Sequence, residues 1–158
     1  MTKPYQKWRE DCVVFLDDCF ASDKAVATLS PYFDVRDFRL IFRDPDKGKQ
    51  NGVEDHPIIH KCHQERWLLL TMDPNMGETH VEEIAKNPCV TILAAAHNAA
   101  TPEEFQQWLN AVVKLQHKIR RMFKHEQRPW FAKFTREGNI SSFKTITPDM
   151  KTRRTRKK

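Results

Sequence analysis

No stretch of this sequence approaches the roughly 18 consecutive apolar residues that a membrane-spanning helix requires, so none is expected. The opening residues, MTKPYQKWREDCVVFL, also lack the look of a secretory signal. Their apolar run is short, and the acidic pair Glu10 and Asp11 precedes it. The expected location is therefore the cytoplasm. Cysteine is sparse, with only Cys12, Cys19, Cys62 and Cys89, and no two of them form a C-x-x-C pair. That spacing excludes a zinc ribbon and a secreted disulfide framework, leaving reduced, mostly buried thiols as the expectation. No internal repeat is visible.

What is present suits one domain. A chain of 158 residues can bury a core without disulfides or a structural metal. Its 39% apolar and 30% charged residues are an ordinary globular mixture. The net charge of +6 is not spread evenly. The last eight residues, KTRRTRKK, hold six of the 27 basic groups and no acid, so the rest of the chain balances its 21 acids with as many bases. We expect residues 1–147 to form the domain and 148–158 to be a disordered basic tail, because such a segment has almost nothing apolar with which to pack.

Along the chain, residues 12–16 (CVVFL) read as a strand buried on both faces, as in a parallel sheet. Ser22 and Asp23 then start a helix that Pro31 closes. Phe38–Phe42 reads as a second strand. Residues 44–52 (DPDKGKQNG) are a polar loop. Asp55 caps a helix reaching about Gln64, with Pro57 tolerated in its first turn. Trp67–Thr71 and Val90–Ala95 are two further strands. A long helix starts after Thr101, announced by Pro102-Glu103-Glu104. On it Phe105, Trp108, Leu109, Val112, Leu115, Ile119 and Phe123 share one face, and Lys114, His117, Lys118, Arg121, Lys124 and His125 share the opposite one. Trp130–Thr135 and Ile140–Ile146 form a closing hairpin around Arg136-Glu137-Gly138-Asn139. Strands alternating with helices predict an α/β domain with a mainly parallel central sheet flanked by helices.

Two of the strands run straight into acids, Asp17 and Asp73. Open α/β sheets bind ligands at the carboxyl ends of their strands, so both carboxylates are expected on one edge, which Asp55 at a helix start can also approach. Converging carboxylates suit Mg²⁺ or Mn²⁺, hard ions that take oxygen ligands and keep waters, and that serve phosphodiester cleavage.

At these residues the sequence resembles a family. Val13-Val14-Phe15-Leu16-Asp17-Asp18 resembles the opening strand of compact bacterial PIN-like domains. Gly52-Val53-Glu54-Asp55-His56-Pro57-Ile58-Ile59 is similar to their second motif, and Leu68-Leu69-Leu70-Thr71-Met72-Asp73 to their third. The resemblance spans roughly Val13 to Ala96. It implies a single PIN-like domain and a metal-dependent endoribonuclease, with many members acting as toxins of toxin–antitoxin pairs. It further implies that Asp17, Asp55 and Asp73 are the catalytic metal ligands for Mg²⁺ or Mn²⁺. Asp18, Glu54, Thr71 and Asn75 would be auxiliary groups. Asn75 and Met76 stand where the family often has a second acid and Phe, which lowers the charge available to a second ion. The implied partners are RNA, an antitoxin protein and a second copy of the chain in a homodimer, with no membrane. RNA would be drawn by Lys114, Lys118 and Arg121.

Three blander readings stand beside these. An Asp at a helix start is commonly only a cap, and a basic helix face is commonly only solvated. His56, His60 and His63 share a helical face and usually serve packing, although Cys62 beside them would fit a transition metal. The alternative function is a catalytically inactive PIN-like module that binds RNA or protein.

Overall fold

The computed structural model describes residues 12–41 and 55–148, with the backbone alone at Asp55 and His56. The loop 44–52, Glu54 and the basic tail from 149 onward lie outside the described residues. The expected α/β architecture is what forms. Strands β1 (Val13–Leu16), β2 (Asp34–Asp37), β3 (Leu68–Thr71), β4 (Thr91–Ala95), β5 (Trp130–Phe134) and β6 (Ile140–Thr145) make a six-stranded sheet in the order β2-β1-β3-β4-β5-β6. The first five are parallel, and β6 returns antiparallel to β5 as the expected hairpin.

The continuous apolar runs of β1, β3 and β4 exist because both faces of the sheet are covered. Successive side chains alternate between two cores. Val14, Leu16, Leu68, Leu70, Leu93 and Ala95 face helices α1 (Asp23–Leu29), α6 (Pro102–Lys114) and α7 (Gln116–His125). Phe15, Leu69, Ile92 and Ala94 face α3 (Asp55–Glu65), α4 (Met76–Thr79) and α5 (Val81–Ala85).

The predicted strand Phe38–Phe42 is corrected by the structure. The second strand is the polar segment Asp34–Asp37, and Phe38–Ile41 is a short helix, α2. The cause is Asp37: its Oδ1 accepts the Arg39 backbone N–H at 2.9 Å, a capping bond that turns the chain into a helix. Phe38 then reaches the second core. The long C-terminal helix is also two helices rather than one. Leu115, at φ −87° and ψ 5°, ends α6 and begins α7 without disturbing the shared apolar face. Within α7 the structure buries Arg120, whose guanidinium lies 4.8 Å over the Phe33 ring and donates to the carbonyl of Tyr32.

The sheet order places β1 between β2 and β3. The chain leaves β1 toward one side and later returns to the other, so the carboxyl ends of β1 and β3 flank the topological switch point, where open α/β sheets bind ligands. A second feature shapes that edge. α1 carries the chain across the sheet in one direction and α6–α7 in the other, on the same face, so these two crossovers have opposite hands. In consequence the start of α6 lies against α1 and overlooks the switch point.

Candidate functional site

Asp17 follows β1 directly, and its backbone N–H donates to the carbonyl of Leu70 on β3 at 3.1 Å. That bond continues the parallel ladder by one step and fixes the Asp17 side chain at the sheet edge. Asp17 is only 5% exposed. Its Oδ2 accepts the hydroxyl of Thr71, the last residue of β3, at 2.6 Å. Thr71 Oγ1 in turn accepts the backbone N–H of Asp73 at 3.1 Å, and Asp73 Oδ1 accepts the N–H of Asn75 at 2.9 Å. One hydroxyl thus couples the two acids that follow the adjacent strands β1 and β3.

Cys19 joins this group. Its Sγ lies 3.4 Å from Thr71 Oγ1, and it accepts the Met72 N–H at 3.4 Å. Because the Thr71 hydrogen is committed to Asp17, the thiol is the donor toward Thr71. Cys19 is exposed as a residue, but its sulfur faces the site. Desolvation there, followed by the charge of Asp17, pushes the thiol up to about 11. Cys62, buried on α3, is raised further, again by desolvation first and by Asp17 next. Both thiols are therefore protonated at neutral pH in the metal-free protein.

The expected site residues fall into three groups. Asp17, Thr71 and Asp73 come together at the switch point, with Asp18 and Asn75 exposed on the same edge. Asp55 begins α3, which ends just before β3. Its backbone therefore lies toward the carboxyl edge, while its side chain and all of Glu54 lie outside the described residues. Lys114, Lys118 and Arg121 are exposed but do not gather at the acids. Lys114 Nζ donates to the Glu137 carbonyl at 2.8 Å and so braces the β5–β6 turn. Arg120 of α7 reaches the carbonyl two residues before β2, and α7 ends just before β5, so the basic face of α7 stands toward the amino edge.

Of the α3 histidines, His60 and His63 brace the segment between α5 and β4, while the His56 side chain lies outside the described residues. His60 Nδ1 lies 2.9 Å from Asn87 Oδ1, and His63 Nδ1 accepts the Cys89 N–H at 3.0 Å. Among the described residues no three His, Cys, Asp or Glu side chains form a metal-holding group.

Two features of this edge went unread in the sequence. Asp37 ends β2 in register with Leu16, one residue before Asp17. Burial by itself would raise its pKa, but the bonds and charge of Arg39 outweigh burial and hold it below the usual carboxylate value. Arg39 also pairs with Asp23 at 3.0 Å, so this guanidinium offsets two carboxylates beside the site. The second feature is a cleft of about 530 Å³ lined by Cys19, Ser22, Met72, Asn98, Thr101 and Phe105, among others.

The donor chemistry fits a hard divalent ion. Mg²⁺ is commonly held by one or two carboxylates, retained waters and substrate phosphate rather than by an all-protein cage. Asp17 and Asp73 supply such oxygens at this edge. No helix among the described residues is long and apolar enough to cross a membrane. No protein-family model, curated protein or solved structure matches the chain.

Proposed function

We propose that the chain is a PIN-like, Mg²⁺- or Mn²⁺-dependent endoribonuclease acting in the cytoplasm, as the toxin of a toxin–antitoxin pair. The observation that carries this reading is the buried Asp17 carboxylate at the topological switch point, oriented by Thr71, with Asp73 on the same hydroxyl. In it Asp17 and Asp73, joined by Asp55, hold the ion. When bound, the ion polarises the scissile phosphate and lowers the pKa of an attacking water. The chain's own part is positional. Thr71 orients the Asp17 carboxylate through Oδ2, and the Asn75 N–H orients that of Asp73 through Oδ1.

A second reading, an inactive module that binds RNA or protein, is favoured by the acid-free basic face of α7, which serves binding without any chemistry. One experiment separates the two. Purified protein with Mn²⁺ is expected to cleave RNA, and Asp17→Asn to lose at least about a hundred-fold in rate while remaining folded, since one carboxylate fewer weakens the hold on the ion. Cleavage that survives both Asp17→Asn and EDTA would overturn the ribonuclease reading. Mn²⁺ binding with no cleavage of any RNA would favour the inactive module.

A further inference from the structure

We infer that the cleft beside Asp17 is a nucleoside pocket, which takes one base of the RNA whose backbone passes the acids and so selects the nucleotide at the cut. The inference deepens the ribonuclease reading and rests on it for the identity of the polymer. The pocket itself is tested separately.

The position of the cleft carries the argument. Cys19 and Met72 line it, and the same two residues bond to one another beside Thr71, so the cleft opens next to the carboxylate pair. Its volume, about 530 Å³, falls in the range of roughly 300–1,000 Å³ usual for small-ligand sites. Its walls are mostly apolar, with Met72, Ala99, Pro102 and the Phe105 ring, which packs on Phe20 at 5.4 Å between centroids. An aromatic ring in an apolar slot offers a stacking surface that any base can use.

The polar groups are few and differ in what they can do. Ser22 Oγ accepts the Ala25 N–H and Thr101 Oγ1 accepts the Glu104 N–H, so each caps a helix and still carries an O–H to donate. Asn98 lies exposed at the rim with both a donor and an acceptor, the equipment for telling one base edge from another. Lys24, also exposed, supplies a cation for a phosphate leaving the pocket. An acyl chain would use neither group.

The test uses the full chain in EDTA, so that no ion bridges the acids to phosphate, titrated calorimetrically with the four 5′-nucleoside monophosphates and the four nucleosides. Saturable binding with a preference among bases is expected. Asn98→Ala should flatten that preference. Lys24→Ala should weaken the monophosphates and leave the nucleosides unchanged. Phe105→Leu should weaken every ligand at least about ten-fold, as loss of a stacking ring does. The first two positions are exposed, so those variants remain informative even if Phe105→Leu is poorly folded. No saturable binding of any nucleotide, or binding unmoved by all three substitutions, would overturn the pocket. Nucleotide binding in a protein that never cleaves RNA would uphold the pocket and defeat the ribonuclease reading. RNA cleavage without nucleotide binding would do the reverse.

Discussion

Thr71 Oγ1 and Asp17 Oδ2 lie 2.6 Å apart at the ends of the neighbouring strands β3 and β1, one hydroxyl serving a buried carboxylate 54 residues away in sequence. The same oxygen accepts the Asp73 N–H, so Thr71 sits between both acids. Thr71→Val keeps the β-branched shape but removes the donor. It leaves one oxygen of a buried carboxylate without that bond, at a cost of about 1–3 kcal/mol. A partner that orients a ligand typically changes metal affinity by roughly 10–100-fold. Thr71→Val is therefore expected to lower both thermal stability and Mn²⁺ affinity, whereas Thr71→Ser should largely restore the second. Calorimetric titration with Mn²⁺ checks this, and equal affinities for all three proteins would show that Asp17 is not held for a metal.

Gly77, in the short helix α4 that follows Asp73, touches β5 so closely that a Cβ would stand 2.2 Å from the Phe131 ring. The glycine is there for that approach, since no L side chain fits without moving the ring or the helix. Gly77→Ala is expected to cost about 1–3 kcal/mol by overpacking. That corresponds to a fall in Tm of at least about 2 °C for a chain of this size. A scan that shows no fall would mean α4 does not pack on β5 this tightly.

The Asp37–Arg39 pair gives a pH dependence with a definite sign. Asp37 has a folded pKa below its ordinary value of 3.8. Its contribution to stability is therefore fully present above that value and is lost as the pH falls through the lower, folded one. Arg39→Met leaves the 8%-exposed Asp37 without its guanidinium, at a cost of about 1–3 kcal/mol at neutral pH. The gap between wild type and variant should close as the pH falls through that lowered value, once Asp37 is protonated in both. Urea unfolding at a series of pH values checks this. A gap that widens in acid would contradict the pairing.

The pattern of legibility follows from the range of each interaction. β1 and β3 could be read because a strand buried on both faces must be apolar throughout, and the acids that end them stand out against such runs. β2 could not, since Asp34-Val35-Arg36-Asp37 is a polar edge strand whose identity comes from pairing with β1, and the apolar Phe38–Ile41 beside it imitated a strand. The break at Leu115 was invisible because the apolar face continues through it. The Cys19–Thr71 contact depends on β1 pairing with β3, and the cleft on α6 settling against α1. Periodicity predicts the apolar face of α6 but not its neighbour.

The last prediction concerns the basic residues, whose sequence pattern alone treats Lys114, Lys118 and Arg121 as equivalent. The structure separates them. Lys114 is engaged with the Glu137 carbonyl and packs against Gly138, where the turn takes φ +87°. Lys118 and Arg121 point outward from α7, a helix with no acid among its ten residues. Each phosphate contact on single-stranded RNA releases counterions and contributes about 0.7 to the slope of log affinity against log salt. Lys118→Ala with Arg121→Ala should therefore flatten that slope by about 1.4 and weaken binding equally across sequences, because phosphate contacts carry no base information. Lys114→Ala should instead lower stability by about 0.5–1.5 kcal/mol, the worth of one hydrogen bond, and leave the salt slope alone. Filter-binding with a short RNA over a series of salt concentrations distinguishes the cases. A slope unchanged in the double variant would show that the α7 face is merely solvated. A flattened slope in Lys114→Ala would show that its amine leaves the turn to meet RNA.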